Sequence, residues 1–284
     1  MRVCSLVPSA TEIVAAVGRL DCLVGVSDEC DFPPAVRKLP TVSASRVDTS
    51  QLSSFAIDEA VRAAVDGGRS LYRVDEELID DLAPDLIITQ DLCAVCAVSS
   101  RELCAVSTPT LALDAYTLDD IRSCITRVGE VLEAGEQASA VVAEMEATIE
   151  SVERRVDGGV RRVFVAEWLH PPFAAGHWVP EMVAAAGGED VLGRAGAPSY
   201  PTTWNAVQAQ EPDLVIAAPC GFDHRRAALE ANIPDLGCRV VAVDANAYYA
   251  RPGPRIADGI AQLAFLIHPQ RAEDPGLPYV ELAT

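Results

Sequence analysis

The amino-acid sequence predicts an α/β protein with two parallel-sheet lobes joined by a long backbone helix. Short apolar segments alternate with helical patterns in both halves of the 284-residue chain, these segments contain few alternating polar residues, and a long amphipathic stretch separates the halves. Apolar strands without alternation are typical of parallel sheets that are covered on both faces. We therefore predict an N-terminal lobe at 1–116, a linking helix at 117–159 and a C-terminal lobe at 160–284.

In the N-terminal lobe, four apolar runs have the length and composition of buried strands. They cover residues 2–7, 23–26, 85–89 and 110–113. The first run leads into a helix that we expect to reach about Gly18. Ser9 is placed to cap this helix, and Glu12 would complete a capping box.

The linking segment has the period of an amphipathic helix. Apolar or small residues recur mostly every three or four positions from 118 to 156, Thr117 is a suitable N-cap, and Asp157-Gly158-Gly159 ends the pattern. Gly135 weakens the middle of the stretch, so we expect a break there. The part after this break would span about 30 Å at 1.5 Å per residue.

The C-terminal lobe repeats the alternation of strands and helices. Strands are predicted at 162–166, 213–217 and 239–243. Helices are predicted near 179–187, 203–210, 223–230 and 254–267. The segment after His268 carries proline, aspartate and glycine, so we expect it to pack loosely.

Composition excludes several classes of function. The chain has 42 acidic and 22 basic residues and a formal net charge of -20. A surface this negative repels phosphate backbones, which argues against a nucleic-acid partner. No run of 18 apolar residues occurs, so we expect no membrane-spanning segment.

The expected location is cytoplasmic. The nine cysteines are an odd number that cannot form a closed disulfide framework, and Pro8 interrupts the short apolar run that follows Met1-Arg2. A periplasmic or extracellular location would require an export signal outside the given sequence.

Aromatic and histidine side chains concentrate after the predicted strands. Only 5% of the residues are aromatic, yet all three tryptophans lie in or near the connecting loops. In open parallel sheets, ligands bind beyond the carboxyl ends of the strands. The concentration therefore predicts a cleft for a large flat or apolar ligand. The residues that define this expectation are Trp168, His170, Phe173, His177, Trp178, Phe222 and Tyr248.

Several short segments, taken together, resemble the vitamin B12-binding proteins of ABC importers. The segments are Leu6-Val7-Pro8-Ser9-Ala10-Thr11-Glu12, Gly25-Val26-Ser27, Asp31-Phe32-Pro33-Pro34, Leu82-Ala83-Pro84-Asp85, Pro171-Pro172-Phe173, Ala186-Gly187-Gly188-Glu189-Asp190-Val191, Tyr248-Tyr249 and Pro254-Arg255. They cover residues 1–267 in the family's order. The resemblance implies two α/β lobes joined by a rigid helix, with cobalamin or another corrinoid held between them. Iron-siderophore and haem binders share this architecture, and the matches favour a corrinoid.

The resemblance also implies a set of ligand-binding residues. On the first lobe these are Pro8, Ser9, Asp28, Glu29, Phe32 and Gln90. On the second lobe they are Trp168, His170, Phe173, Trp204, Phe222 and Tyr248, beside His177 and Trp178 from the same loops. The implied protein partner is an ABC permease or a corrinoid-handling protein. Importer-docking members of the family use an acidic residue on each lobe to meet the permease. The resemblance implies Glu12 and Glu189 as candidate counterparts, with ordinary solvated surface charge as the alternative.

Four cysteines follow predicted strands and form a separate hypothesis. Cys30, Cys93, Cys96 and Cys220 could hold Zn²⁺ or Fe, or contact a cobalt centre, because thiolates are strong ligands for such metals. A redox pair and inert thiols are the alternatives for Cys93-x-x-Cys96. The corresponding rival function is a thiol- or metal-dependent enzyme that uses Cys93, Cys96 and Cys220. The leading expectation is a binding protein that is not an enzyme.

Overall fold

The computed structural model describes residues 1–91, 98, 103, 107–156 and 159–283. They form two compact units, each built around its own sheet. The first unit comprises Met1–Leu52, Ala56–Ala115 and Asp119–Val142, and the second comprises Ser53–Phe55, Tyr116–Leu118 and Ala143–Thr284. The predicted α/β fold class with two sheet-containing lobes is confirmed. The chain passes between the units several times. The predicted boundaries between the lobes and the linking helix, at 116/117 and 159/160, stay predictions.

The sheet of the first unit has the strand order β4-β3-β2-β1-β5-β6. Its strands are β1 (Val3–Ser5), β2 (Leu23–Ser27), β3 (Thr41–Ser45), β4 (Tyr72–Val74), β5 (Leu86–Thr89) and β6 (Thr110–Ala112). Only β4 runs antiparallel to its neighbour within this order. The helices are α1 (Pro8–Ala16), α2 (Ser54–Asp66), α3 (Glu76–Leu82) and α4 (Leu118–Val131), with 3-10 turns at Leu20–Cys22 and Pro34–Lys38. The first residues of α2 and α4 belong to the second unit.

Helix α1 begins two residues earlier than the sequence predicts. Its N-cap is Val7, which has extended backbone angles and makes no side-chain capping bond. Pro8 takes the first helical position, where its fixed φ is suitable and its missing N–H costs nothing. Ser9 and Glu12 are buried inside the helix, so the predicted capping box is wrong.

The linking segment consists of two consecutive helices. Helix α4 ends at Val131, and α5 (Gly135–Val156) continues from the first unit into the second. Glu133 adopts φ +53° between them, and the Ala134 N–H donates to the Gly129 carbonyl at 2.7 Å. The predicted break near Gly135 is therefore confirmed.

The sheet of the second unit has the order β10-β8-β7-β11-β12-β13, and β9 also pairs with β7. Its strands are β7 (Arg161–Leu169), β8 (Pro172–Ala174), β9 (Gly188–Asp190), β10 (Tyr200–Pro201), β11 (Leu214–Ala217), β12 (Arg239–Val243) and β13 (Tyr279–Leu282). The helices are α6 (Val179–Ala185), α7 (Trp204–Gln208), α8 (His224–Glu230), α9 (Ala245–Tyr248) and α10 (Ile256–Ile267). Parallel pairing of β7, β11 and β12 brings the ends of these strands to one edge.

The C-terminal segment is more ordered than the sequence suggests. Strand β13 pairs antiparallel with β12, and Arg239 Nε lies 3.1 Å from each carboxylate oxygen of Glu281 across this pair. The Gln262 side-chain amide also donates to the Pro278 carbonyl at 3.2 Å. The expectation of a loosely packed tail is therefore wrong, because this segment completes the sheet. Within the described ranges, no helix has the length and apolar character needed to cross a bilayer.

Candidate ligand-binding site

The parallel strands of the first unit end in the residues that the sequence analysis selected. Pro8 and Ser9 follow β1, the Asp28-Glu29 pair follows β2, and Gln90 follows β5. Their accessibility differs: Asp28 and Glu29 are exposed, whereas Pro8, Ser9 and Gln90 are buried. Phe32 is 42% exposed, which is unusual for a large apolar side chain. Asp28, Glu29 and Phe32 are thus the accessible members of this group.

Cys30 has a structural environment of its own. Its thiol lies 3.1 Å from the Thr11 hydroxyl, which donates to Ser5 Oγ at 2.8 Å. All three side chains are buried at the junction of β1, α1 and the loop after β2. Cys30 therefore acts as a packed and hydrogen-bonded thiol in this structure.

The second unit presents an aromatic cluster at its strand ends, formed by Trp168, Phe222 and Arg226. The indole of Trp168 meets the Phe222 ring edge-on, with centroids 5.4 Å apart. The Arg226 guanidinium carbon lies 3.9 Å above the centre of the Phe222 ring. Edge-to-face and cation–π contacts of this kind fix ring orientation. Trp168 is half-buried and Phe222 is 3% exposed, so Trp168 supplies the accessible ring.

A polar group adjoins this cluster after β12. Asp244 caps α9 by accepting from the Ala247 N–H at 2.9 Å, and burial raises the pKa of its carboxyl. Tyr248 lies beneath Arg255, whose guanidinium carbon is 5.5 Å from the ring centre. Burial also raises the pKa of the Tyr248 phenol, so the ring stays neutral at pH 7.

His177 is held in an unusual backbone conformation. Its φ is +48°, its N–H donates to the Ala197 carbonyl at 2.7 Å, and its carbonyl accepts from Gly196 at 2.9 Å. The imidazole has two aromatic neighbours, Tyr116 and Trp178, with ring centroids 5.9 and 5.8 Å away. Burial lowers the pKa of His177, so the imidazole is neutral at pH 7.

Other predicted aromatic residues contribute to packing. Trp178 is 6% exposed and its Nε1–H donates to the Tyr249 carbonyl at 2.8 Å, which leaves little surface for a ligand. Trp204 packs edge-on against the buried Phe164, with centroids 6.1 Å apart. Phe173 is half-buried within β8. Their roles in ligand binding stay predictions.

The cysteine hypothesis receives no support from the described residues. Cys220 is an exposed free thiol, and Cys30 is buried beside Thr11. Cys93 and Cys96 lie outside the described residues. Across the ranges that the structure describes, no group of three or more His, Cys, Asp or Glu side chains is arranged to hold a metal ion.

The two acidic residues expected to meet a permease differ in exposure. Glu189 is exposed in β9. Glu12 is 4% exposed within α1, so it offers a partner almost no charged surface.

Two residues missed by the sequence analysis support the aromatic cluster. Ser54 lies at the start of α2, and its carbonyl accepts from Trp168 Nε1 at 3.2 Å. Glu230, at the end of α8, accepts from the Ser54 N–H at 2.9 Å through Oε2. No motif marks either residue, because their positions depend on contacts between residues 176 apart.

The protein thus has two α/β units with aromatic and polar side chains at the ends of parallel strands. The periplasmic binding protein family matches residues 3–233, and the chain belongs to this family. This is a family of binding proteins rather than enzymes. The predicted cytoplasmic location is wrong, since the family to which the chain belongs is periplasmic.

Similar proteins include curated vitamin B12-binding proteins. The protein of Pectobacterium carotovorum is 25% identical over 268 residues, which cover 90% of this chain and 84% of that protein. The protein of Vibrio campbellii is 22% identical over 267 residues, covering 92% and 87%.

Solved structures show the same fold. A periplasmic haem-binding protein from Pseudomonas aeruginosa has a TM-score of 0.74 at 19% identity, covering 100% of this chain and 98% of that one. The periplasmic vitamin B12-binding protein of Vibrio cholerae has a TM-score of 0.65 at 23% identity, covering 94% and 96%.

Proposed function

We propose that this protein binds a corrinoid such as cobalamin and serves as the substrate-binding component of an ABC importer. The observation that carries the proposal is the similarity to vitamin B12-binding proteins along about nine-tenths of the chain. The location of the ligand between the lobes, which the family resemblance implies, stays a prediction.

The strand-end residues of each unit have chemistry that suits this ligand. A corrin is a large macrocycle with apolar faces and a periphery of amide groups. The accessible Trp168 ring can contact such a face, and the exposed carboxylates of Asp28 and Glu29 can accept hydrogen bonds from the amides. Many dispersed contacts of this kind give affinity through shape and dispersion.

Calorimetric titration with cyanocobalamin, aquocobalamin and hemin tests the proposal. We expect saturable heat with at least one cobalamin and a changed absorption spectrum of the bound corrinoid. Saturable binding of hemin with no heat from either cobalamin would overturn the corrinoid proposal in favour of a haem ligand.

A pair of variants tests the contribution of the second unit. We expect Trp168→Leu to weaken cobalamin binding roughly tenfold or more, because the accessible indole surface is lost. Val160→Ala is the control: Val160 is 69% exposed and precedes the opposite end of β7. Equal affinities of the two variants would contradict the proposed role of Trp168.

Binding of Zn or Fe by the cysteines is a separate proposal with its own test. Elemental analysis of the purified protein is compared with that of the Cys93→Ser/Cys96→Ser variant. Stoichiometric metal that disappears in the variant would establish a cysteine site, and a metal-free wild-type protein would exclude it.

A further inference from the structure

The orientation of Trp168 is fixed from two sides. Its Nε1–H donates to the Ser54 carbonyl at 3.2 Å, and its ring meets Phe222 at an interplanar angle of 62°. Phe222 is held in turn beneath the Arg226 guanidinium. The indole therefore has both its polar atom and its ring plane constrained by neighbours in the second unit.

Ser54 is an anchored residue in an otherwise exposed stretch. Its side chain is fully buried, whereas the neighbouring Ser53 and Phe55 are exposed. The Ser54 N–H donates to Glu230 Oε2 at 2.9 Å, and a bond from a backbone N–H to a carboxylate is among the stronger hydrogen bonds in proteins. The residue that holds Trp168 is thus itself held by Glu230.

Glu230 has a second restraint on its backbone. Its carbonyl oxygen lies 3.2 Å from His170 Nε2, in the turn that follows β7. Trp168 and His170 are two residues apart, so Glu230 is connected to this strand end both through Ser54 and through His170. These hydrogen bonds, together with the chain from Trp168 to His170, form a closed circuit that includes the indole N–H.

We propose that Glu230 is a positioning residue that preorganises Trp168 for ligand binding by holding Ser54. The proposal rests on the proposed function, because Trp168 is the ring on which the corrinoid would lie. When Glu230 no longer holds Ser54, the Ser54 carbonyl is no longer a fixed acceptor for the indole N–H. Ligand binding then has to order the Trp168 side chain. An ordering cost of this kind lowers affinity without removing any ligand contact.

The chain offers variants that separate this role from a general structural one. Glu230→Ala removes the acceptor, whereas Glu230→Gln retains a side-chain oxygen at the same position. Ser54→Ala keeps both backbone atoms and removes only the hydroxyl, which has no hydrogen-bond partner among the described residues. Ser54→Pro removes the N–H donor at the first position of α2, where a helix tolerates proline.

The experiment combines fluorine NMR with cobalamin titration of the full chain. The protein is labelled with 5-fluorotryptophan, and its three tryptophan resonances are assigned with Trp→Phe variants. We expect Glu230→Ala to shift or broaden the Trp168 resonance, leave those of Trp178 and Trp204 in place, and weaken cyanocobalamin binding roughly tenfold. Ser54→Pro should reproduce this result, and Glu230→Gln and Ser54→Ala should behave as wild type.

Two results would overturn the proposal. One is an unchanged Trp168 resonance and affinity in Glu230→Ala or, if that variant does not fold, in Ser54→Pro. The other is a loss in Glu230→Gln equal to that in Glu230→Ala, which would point to the charge of Glu230 rather than to its bond with Ser54. If wild-type protein binds no cobalamin, the proposed function fails, whereas the NMR comparison still decides whether Glu230 positions Trp168.

Discussion

The Thr11 hydroxyl oxygen lies 3.1 Å from the Cys30 sulfur, and both side chains are buried. The contact joins α1 to the loop after β2, at the strand ends of the first unit. The same hydroxyl donates to Ser5 Oγ at 2.8 Å, so Thr11 links two buried polar groups.

Replacing Thr11 tests the importance of this link. We expect Thr11→Val to lower the free energy of unfolding by about 1–3 kcal/mol, because Ser5 and Cys30 lose a buried partner. Thr11→Ser retains the hydroxyl and should cost less. Urea denaturation followed by circular dichroism measures both variants, and a loss in Thr11→Val no larger than that in Thr11→Ser would contradict the role assigned to the hydroxyl.

The reactivity of the cysteines should follow their burial. Cys220 is exposed, whereas Cys4 and Cys124 are buried and burial raises the pKa of each thiol to about 11. We expect iodoacetamide at pH 7.5 to modify Cys220 in the folded protein and to leave Cys4 and Cys124 unmodified until urea is added. Peptide mass spectrometry after timed labelling measures this order. Modification of Cys4 as fast as Cys220 would contradict it.

Asp190 should make stability depend on pH. Burial raises the pKa of its carboxyl from 3.8 to about 7, although backbone N–H groups of Gly193, Leu192 and Val165 favour the charged form. The folded state therefore binds the proton more tightly than the unfolded state. The resulting stability is fully present below pH 3.8 and is lost as the pH rises from there to about 7.

The Asp190→Asn variant isolates this effect. Asparagine does not ionise, so we expect it to match wild type near pH 4 and to exceed it by up to about 4 kcal/mol at pH 8. Denaturation midpoints across this pH range provide the measurement. Parallel pH profiles of the two proteins would show that Asp190 does not carry the dependence.

Replacing two glycines by alanine should change the stability of the protein in opposite directions. A Cβ at Gly176 would lie 2.3 Å from the Ser199 nitrogen and 2.5 Å from the Ala197 oxygen, whereas a Cβ at Gly135 would meet no atom within 4 Å. We expect Gly176→Ala to destabilise the protein by about 1–3 kcal/mol because backbone atoms must move. Gly135→Ala, at the start of α5, should stabilise it by about 0.4–1 kcal/mol. Thermal denaturation distinguishes the two signs.

The sequence predicts the buried strands well because their apolar runs are continuous. It assigns no element to the stretch that contains β3, α2, β4 and α3. In β3, the Thr-Val-Ser-Ala-Ser segment has the small polar composition of a loop. Strand β13 was missed because four residues beside proline and glycine give too short a pattern. The strands β3, β4 and β13 among these elements depend for their stability on pairing with a neighbour.

The sequence predicts those residues of the candidate site that lie at the ends of recognisable strands. The positions of Asp28, Trp168 and Phe222 follow from strand ends, which the sequence locates. The positive φ of His177 and the contact between Ser54 and Glu230 arise only when distant segments come together. Local patterns carry no information about such contacts.

The second unit is encoded by three separate stretches of the gene. Besides its main body from Ala143, it needs residues 53–55 and 116–118, which supply the Ser54 carbonyl to Trp168 and the Leu118 N–H to Glu181 at 2.7 Å. A fragment that begins at Ala143 would therefore encode an incomplete unit. Recombination at a single junction could therefore not exchange this unit intact for that of a relative.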